Sequence, residues 1–499
     1  MLFHQLAHRI RPWVGAAALA LVAGCAAVGP NYSAPEPSAP KSWQGAVAAK
    51  VAVTEKTPSD VATWWRGFND PVLTDFVEQA MKTSLDVRTA LAKLREARAQ
   101  RALAGAELFP TVTASASGNQ TKASGDSGNG AVLELFSAGI DAGWEPDVFG
   151  SLRRAKEAAQ ADLEASEAGL HDVQVSLAAE VAINYVELRA YQARLAIARF
   201  NVDTQSETLD LTRWRAQAGL TSVLDVEQAR ANLEQTRAQI PELETAASES
   251  EHRLEVLLGR QPGTLKARTS HPDATPELPE RIAMSIPADT LRQRPDVRVA
   301  ERELAAATAR IGEAQAQAYP SFELGGSIGL EALTLGALAG GNALTHGVLG
   351  SVAAPIFNAG RVRDQVEIQN TQQEQALVNY EAVVLNALEE VENALAALAN
   401  NRTRRQTLRK AVSAARSAAQ LARYRYNAGL VDFQTVLDSE RTLLTLEDDL
   451  TTSKADGITA LIRLYKALGG GWSPTSGNVS AKARAKTPPT NASKARDAT

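Results

Sequence analysis

The sequence is poor in the residue patterns that enzymes and nucleic-acid-binding proteins use. It has one cysteine, and its six histidines are scattered, so no Cys/His spacing typical of a metal site occurs. No glycine-rich loop precedes a lysine as in a phosphate-binding site, and aromatic residues make up only 5% of the chain. A formal net charge of -5 argues against a nucleic-acid partner. We therefore expect no enzyme, no metal, no cofactor and no nucleic acid.

Proline and glycine are both absent between residues 361 and 426, in a chain that contains 21 prolines and 33 glycines. A continuous helix over this stretch would reach about 100 Å at 1.5 Å per residue. Apolar residues within it follow gaps of three and four, which is the seam of a coiled coil. The seam residues are Leu377, Tyr380, Val384, Ala387, Val391, Ala394 and Leu398, and a similar seam earlier in the chain contains Leu170, Val173, Leu177, Val181, Leu188 and Leu195.

No apolar run predicts a transmembrane helix. Residues 13–23 follow a basic leader but are too few to cross a bilayer, which needs roughly 20 residues, so they are typical of a signal peptide. Residues 332–357 form a long enough run, but several glycines, Asn342 and Pro355 interrupt it. This second run predicts a strand, a loop and another strand.

The single cysteine follows the apolar leader directly. Val22, Ala23 and Gly24 precede Cys25, and this pattern resembles a bacterial lipobox, at which cleavage exposes a cysteine that receives a diacylglycerol and an N-acyl chain such as palmitate. Ala26 is not the aspartate that retains lipoproteins in the inner membrane of enteric bacteria. The alternative is an ordinary cleavage site with an incidental cysteine. One cysteine cannot form an internal disulfide.

The chain is duplicated. Landmarks recur 210 residues apart: residues 86–88 and 296–298, residues 109–111 and 319–321, Gly150 and Gly360, and Gly219 and Gly429. Both copies place Ala-Gly-Leu after a long helical stretch and then resume with Val-Leu-Asp, at residues 223–225 and 436–438. The second copy is therefore expected to be three residues longer after this turn.

Each copy is predicted to contain the same elements in the same order. A first helix (about 70–108 and 288–318) precedes two strands, a very long helix, the Ala-Gly-Leu turn and a second long helix, which Pro241 is expected to kink in the first copy. The predicted divisions are a signal peptide (1–24), a lipidated linker (25–60), a first repeat (61–270; strands about 110–118 and 133–147), a second repeat (271–472; strands about 321–331 and 346–357) and a disordered tail (473–499).

The predicted strands alternate apolar and polar residues. Alternation alone fits either a soluble sheet over a core or barrel strands between lipid and water. Four strands are too few to close a barrel, and lipid cannot satisfy the free edges of a sheet. Two copies would supply eight strands, whose interior side chains fill, whereas three copies would supply twelve and leave room for a passage.

These features resemble the outer-membrane channel subunits of tripartite efflux pumps, the TolC-like outer membrane factors, and particularly their NodT-type lipoprotein branch. The resemblance covers nearly the whole mature chain. Its motifs are Cys25 with residues 28–32 (VGPNY), residues 64–71 (WWRGFNDP), residues 294–298 (RPDVR), residues 424–430 (YRYNAGL) with 436–438 (VLD), and residues 468–472 (LGGGW).

The resemblance implies a mixed α and transmembrane β fold. Three chains, with four strands each, would complete a 12-stranded outer-membrane β-barrel, and their helices would form a long periplasmic α-helical barrel of coiled coils. The expected function is a passive gated conduit for small molecules delivered by a periplasmic adaptor and an inner-membrane pump of the RND class. The expected location is the outer membrane, lipid-anchored and spanning. The alternatives are a structural coiled-coil lipoprotein or a periplasmic adaptor without a pore.

The resemblance also implies a constriction near the second turn, formed by Tyr426, Asp432 and Asp438. Three copies of a carboxylate around one axis would attract cations and repel anions, and a tyrosine hydroxyl would tie one coil to its neighbour. Some relatives carry a locking arginine two residues after the turn glycine, where this chain has Val431. The alternative for Asp438 is a local cap or pair on its own helix.

The two Ala-Gly-Leu turns are the expected contacts of the adaptor. In Gly219-Leu220 and Gly429-Leu430 the glycine would adopt a positive φ that ends the helix, and the leucine would offer an apolar surface. The alternative is a plain helix cap without a partner.

Overall fold

A computed structural model describes residues 27–36, 39–49, 61–126, 130–270, 276 and 287–472. The signal peptide, Cys25 and the predicted tail lie outside the described residues. The described chain divides into two compact units: a first unit within Met1–Glu36, Ala92–Ala168 and Arg298–Val383, and a second within Pro37–Leu91, Gly169–Val297 and Val384–Thr499. Across the described ranges, every helix falls short of the combined length and apolarity that crossing a membrane requires.

Helices dominate the described chain. Two short 3₁₀ helices, Trp64–Phe68 and Leu335–Ala339, accompany them. The α-helices are α1 (Gly45–Ala49), α2 (Pro71–Thr83), α3 (Leu85–Ala106), α4 (Ser151–Gln217), α5 (Val223–Leu257), α6 (Lys266–Thr269), α7 (Pro287–Gln293), α8 (Pro295–Ala316), α9 (Arg361–Asn427) and α10 (Phe433–Ala467).

The long helices of the two copies begin and end at a constant offset of 210 residues. Helices α4 and α9 each have 67 residues, and α5 and α10 each have 35. The N-caps of α5 and α10, Ser222 and Asp432, are also 210 positions apart. The expected three-residue extension is therefore wrong. The two Val-Leu-Asp triplets occupy different helical positions, because Val223 is the first residue of α5 whereas Val436 is the fourth of α10.

The predicted first helix of each copy is interrupted. In the first copy Ser84 has an extended ψ of 139° and separates α2 from α3. In the second copy Arg294 separates α7 from α8, since the proline that follows it disfavours helical geometry. Both breaks replace single helices expected over residues 70–108 and 288–318.

Four antiparallel strands form one sheet in the first unit, in the order β1-β2-β3-β4. Strand β1 is longer than expected because its last residues pair with the start of β2. Strands β2 and β4 end earlier than expected, shortly before Pro146 and Pro355, which lack the amide hydrogen that a ladder needs. The run at residues 332–357, predicted to contain a strand, a loop and a strand, holds the last residue of β3, a loop with a 3₁₀ helix and β4. The strands are β1 (Thr111–Lys122), β2 (Val132–Trp144), β3 (Ser321–Ala332) and β4 (Leu344–Ala353).

The sheet has an apolar face and a polar face, as the alternation predicts. Every cross-strand pair joins residues of equal parity, so even-numbered residues share one face. On that face Val112, Ile328 and Val348 are 69%, 56% and 92% exposed. Within the described chain, the outer edges of β1 and β4 have no strand partner. One chain therefore leaves both an apolar face and two sheet edges uncovered.

Most of the coiled-coil seam residues lie in the second unit. Val181 and Val391 are fully buried, and most of the other predicted seam residues are buried too, which confirms the seams. Trp64 stacks on Tyr465 of α10 with ring centroids 5.5 Å apart. Arg294 is 7% exposed and pairs with Asp296 and Glu390 at 2.6 and 2.7 Å. The sequence motifs around residues 64 and 294 therefore hold this unit together.

Candidate functional site at the helical hairpins

Two helical hairpins, α4–α5 and α9–α10, have their turns in the second unit, and the residues predicted to form a gate lie at these turns. Each turn contains a glycine with positive φ, 70° at Gly219 and 72° at Gly429. The next residue, Leu220 or Leu430, donates its amide hydrogen to the carbonyl of Arg215 or Arg425 at 2.8 Å. These bonds are those of a Schellman cap. The expected helix caps are therefore present, with both leucines about 70% exposed (69% and 73%).

The helices that leave the turns begin with different N-caps. Ser222 and Asp225 form a capping box at α5, whereas the Asp432 carboxylate accepts a bond from the Thr435 amide at 3.0 Å at α10. Bonds from the Thr435 hydroxyl and amide lower the pKa of Asp432, so this exposed carboxylate is held ionised. Asp432 thus has a local structural role, in addition to any effect of its charge.

An apolar cluster joins the two hairpins just inside the turns. Tyr426 is 7% exposed, and its ring centroid lies 5.3 Å from that of Phe433. The cluster contains residues from all four helices, so neither hairpin can move away from the other without exposing apolar surface. Its buried members are Leu209, Val226, Ala229, Leu233, Ala422, Tyr426, Phe433, Val436 and Leu437, and Val431 packs against them.

Arg215 of α4 contacts the end of α9 in two ways. Its guanidinium carbon lies 4.6 Å from the centroid of the Tyr426 ring, which is a cation–π contact. Its Nη1 donates to the carbonyls of Tyr426 and Asn427 at 3.3 and 3.4 Å. These carbonyls lie at the negative end of the helix dipole, where a cation is favoured. Arg215 therefore clamps the second hairpin to the first.

The duplication does not repeat this clamp. Arg425 is the counterpart of Arg215 and is exposed, and among the described residues it forms no ion pair. The Tyr426 hydroxyl was predicted to tie one coil to its neighbour. It is buried without a hydrogen-bond partner in the described part of the chain. Within one chain the ring and the carbonyl of Tyr426 make the contact, and the hydroxyl does not.

Asp438 lies apart from this cluster. Its side chain is exposed and accepts a hydrogen bond from Gln434 Nε2 at 2.9 Å, which is the local pairing considered as an alternative. The structure places Tyr426 in the cluster that joins the hairpins and Asp432 at the start of α10. It does not bring Asp438 into contact with either of them.

An ion pair with a buried carboxylate lies farther from the turns than the cluster. Glu440 of α10 is 4% exposed and accepts from Arg423 Nε at 2.8 Å. Burial raises the pKa of Glu440, although the ion pair with Arg423 opposes the shift. Its Oε2 atom has no hydrogen-bond partner within the described chain. Sequence reasoning missed this pair because a glutamate and an arginine on a long helix usually lie on a solvated face.

Long paired hairpins of equal length, together with a sheet that one chain cannot complete, define the class of outer-membrane channel subunits. The model of the family described as Outer membrane efflux protein matches residues 76–260 and 286–470, and the chain belongs to this family. The resemblance stated from the motifs is thereby confirmed.

Relatives and solved structures agree with this assignment. Nodulation protein T of Rhizobium leguminosarum bv. trifolii is 31% identical over 467 residues, which cover 91% of this chain and 96% of the relative. The antibiotic efflux pump outer membrane protein ArpC of Pseudomonas putida is 31% identical, over 94% of this chain and 97% of its own. The outer-membrane channel OprN has a TM-score of 0.85 at 35% identity, covering 90% of this chain and 100% of that chain. The chain is an outer-membrane efflux channel subunit whose helical part lies in the periplasm.

Proposed function

We propose that three copies of this chain form a gated, passive conduit that carries small molecules out of the cell. The observation that carries the proposal is the four-stranded sheet, with its exposed apolar face and its two free edges. Lipid would cover the apolar face, and β1 of one copy would pair with β4 of the next. Twelve strands enclose a wider bore than the eight of a dimer, and a bore lined by the polar face conducts water.

The conduit has no catalytic centre and takes its energy from a partner. A periplasmic adaptor and an inner-membrane pump of the RND class would complete a tripartite system, and Leu220 and Leu430 would contact the adaptor. Two exposed leucines on neighbouring turns support this role, because they offer apolar surface with no partner in the described chain. A diacylglycerol and an acyl chain on Cys25 would anchor each copy.

The contact between the hairpins is proposed to hold the channel closed. Opening would draw α9 and α10 away from α4. This movement would separate Arg215 from Tyr426 and expose the cluster around Phe433. The carboxylates of Asp432 and Asp438 would then line the widened passage as three-fold rings that favour cations.

Conductance of the purified chain tests this function. We expect an oligomer that resists dissociation in unheated detergent, converts to monomer on heating, and gives discrete conductance steps in a planar bilayer. A monomer without conductance would refute the proposal. A stable oligomer that never conducts would instead favour a structural coiled-coil lipoprotein.

Mass spectrometry of the N-terminal peptide tests the lipid. The expected peptide begins at Cys25 and carries one diacylglycerol and one acyl chain, and Cys25→Ala serves as the unmodified control. An unmodified peptide that begins at another residue would show an ordinary cleavage site.

A further inference from the structure

A short segment near the N-terminus is bound tightly to the first unit through the buried guanidinium of Arg154. We name residues 27–32 the N-terminal strap. The Arg154 side chain is 4% exposed and donates to the Val28 and Gly29 carbonyls at 3.1 and 3.2 Å and to Asn31 Oδ1 at 2.8 Å. Its remaining bond, at 2.7 Å, is to Glu157 on the same helix. Three of these four acceptors belong to the strap, so without it the guanidinium keeps its ion pair with Glu157 but loses most of its hydrogen bonds.

The strap backbone also lies directly against two helices. A Cβ atom at Gly29 would stand 2.3 Å from the Cα atom of Gly312 in α8, and one at Gly312 would stand 2.7 Å from the Val28 carbonyl oxygen. A Cβ atom at Gly150, which precedes α4, would stand 2.5 Å from that of Ala27. Such distances leave no room for side chains, so this contact requires glycine on both sides.

Tyr32 ends the strap with a second set of contacts. Its hydroxyl donates to Glu301 Oε1 at 2.6 Å, and the guanidinium carbon of Arg302 lies 5.4 Å from the centroid of its ring. The ring packs on a cluster of three buried alanines of α4 and α8, Ala161, Ala305 and Ala306. Both ends of the strap are therefore held.

The residues that hold the strap are those at which the two copies differ. At the equivalent positions, 210 residues away, Arg154 is replaced by Asp364, Gly312 by Ala102 and Glu301 by Leu91. An acidic side chain could not donate to strap carbonyls, and an alanine would clash with the strap backbone. Helix α4 of the first copy and helix α8 of the second copy thus form a groove that binds the strap. The equivalent helices, α9 and α3, lack these residues.

The strap meets the sheet where β2 ends and β3 begins. The Val28 amide donates to the Phe149 carbonyl at 3.0 Å, five residues after the end of β2. The Phe149 ring stacks on Tyr319 at 4.8 Å and lies 6.4 Å from Phe322, the second residue of β3. Aromatic rings at strand ends favour the interface between membrane and water.

We propose that the N-terminal strap is a docking device that delivers a lipid anchor to the membrane surface at this end of the sheet, with Arg154 as its positioning residue. The proposal rests on the lipidation of Cys25. Cys25 precedes Ala27 by two residues, and two residues of chain span at most about 7 Å. A lipid on Cys25 would therefore enter the bilayer beside the strand ends. The docked strap thereby couples the insertion of the lipid to the insertion of the strands.

Thiol labelling of Val28→Cys in the full, detergent-purified channel tests the docking. A maleimide should label V28C slowly in the wild-type background and about tenfold faster or more with Arg154→Ala, because several charge-assisted bonds are lost. Arg154→Lys should fall between them, since an ammonium group cannot bridge the three acceptors in one plane. Asp364→Ala, at the equivalent position of the other copy, is the control and should leave labelling unchanged. Equal labelling with and without Arg154 would overturn the proposal.

A second variant avoids the removal of a buried charge. Gly312→Ala keeps Arg154 but places a methyl group against the Val28 carbonyl, so it should also speed the labelling of V28C. Gly105→Ala in α3 is its control, because only the Lys156 side chain lies within 4 Å of the added atom, at 3.9 Å. If G312A labels like G105A, the strap does not depend on this contact and the proposal fails.

The consequence for assembly is measured by a pulse-chase of the heat-sensitive oligomer. The Arg154→Ala and Gly312→Ala chains should carry the same lipid mass as the wild type but form the oligomer more slowly, whereas both controls should match the wild type. Wild-type assembly rates in the two strap variants would refute the coupling. A chain with no lipid mass in any variant would refute the lipidation itself. A free Cys25 thiol would then also react with the maleimide, so the labelling contrast would be read in a Cys25→Ala background and would still report whether the strap is docked.

Discussion

Removal of the Arg215 side chain should shift the channel toward its open state. The cation–π contact at 4.6 Å contributes about 0.5–1 kcal/mol at a partly exposed site. The two bonds to carbonyls, at 3.3 and 3.4 Å, are longer than optimal, so together they add about 1–1.5 kcal/mol. The sum of about 2 kcal/mol corresponds to a roughly 30-fold change in the closed-to-open ratio for each chain.

Single-channel recording in planar bilayers measures this ratio as open probability. Arg215→Ala should raise the open probability and leave the conductance of the fully open state unchanged. Arg425→Ala is the matched control, because Arg425 occupies the same position in the other copy but stays exposed. Equal effects of the two substitutions, or no effect of R215A, would refute the clamp. A double-mutant cycle with Tyr426→Leu should show that the two residues act on each other.

Four further substitutions separate the remaining roles at the hairpins. Asp432→Asn should keep the N-cap but lower cation selectivity. Asp438→Asn should lower cation selectivity only if its carboxylate also faces the passage. Reversal potentials in a salt gradient measure the selectivity of both variants. Leu430→Ser should leave the melting temperature unchanged and weaken binding of a purified adaptor. Glu440→Gln should flatten the dependence of stability on pH. The folded pKa of Glu440 is raised, so its contribution is present at acid pH and is lost as pH rises from the unfolded value through the folded value.

Controls define what would count against each of these predictions. A loss of thermal stability in D432N would show that the charge, and not only the hydrogen bond to Thr435, maintains the cap. Wild-type adaptor binding by L430S would remove the turn from the docking surface. Because other buried carboxylates also titrate, the pH effect of Glu440 is the difference between the melting curves of E440Q and the wild type. Parallel curves from pH 4 to pH 8 would contradict it.

Much of the fold was predictable because it depends on periodicity and on special residues. The seams of α4 and α9 follow from apolar gaps of three and four, and the two turns follow from glycines that adopt positive φ. The two faces of the sheet follow from the alternation of apolar and polar residues, which is clearest in β2 and β3. Strand ends were less predictable, since the end of β1 is set by pairing with β2 and not by any local signal.

The details of the site were not predictable, because they depend on which of two equivalent residues becomes buried. Arg215 and Arg425 follow similar helical sequences and precede the same Ala-Gly-Leu turn, yet only Arg215 packs on the opposite hairpin. The Val-Leu-Asp triplets were misleading for a related reason, since a short match can occur at different helical positions. The contact of Gly29 with Gly312 joins residues 283 positions apart, and no local pattern reports it.

The constant 210-residue offset restricts how such a chain can change in length. A single residue inserted into α9 alone would raise its turn by about 1.5 Å and rotate everything beyond the insertion by about 100°, so Tyr426 would leave Arg215. Adding one heptad to each of the four long helices would preserve all of these contacts and lengthen both hairpins by about 10 Å. Evolution or engineering can therefore adjust the reach of this protein across its compartment only in coordinated steps, taken by both halves at once.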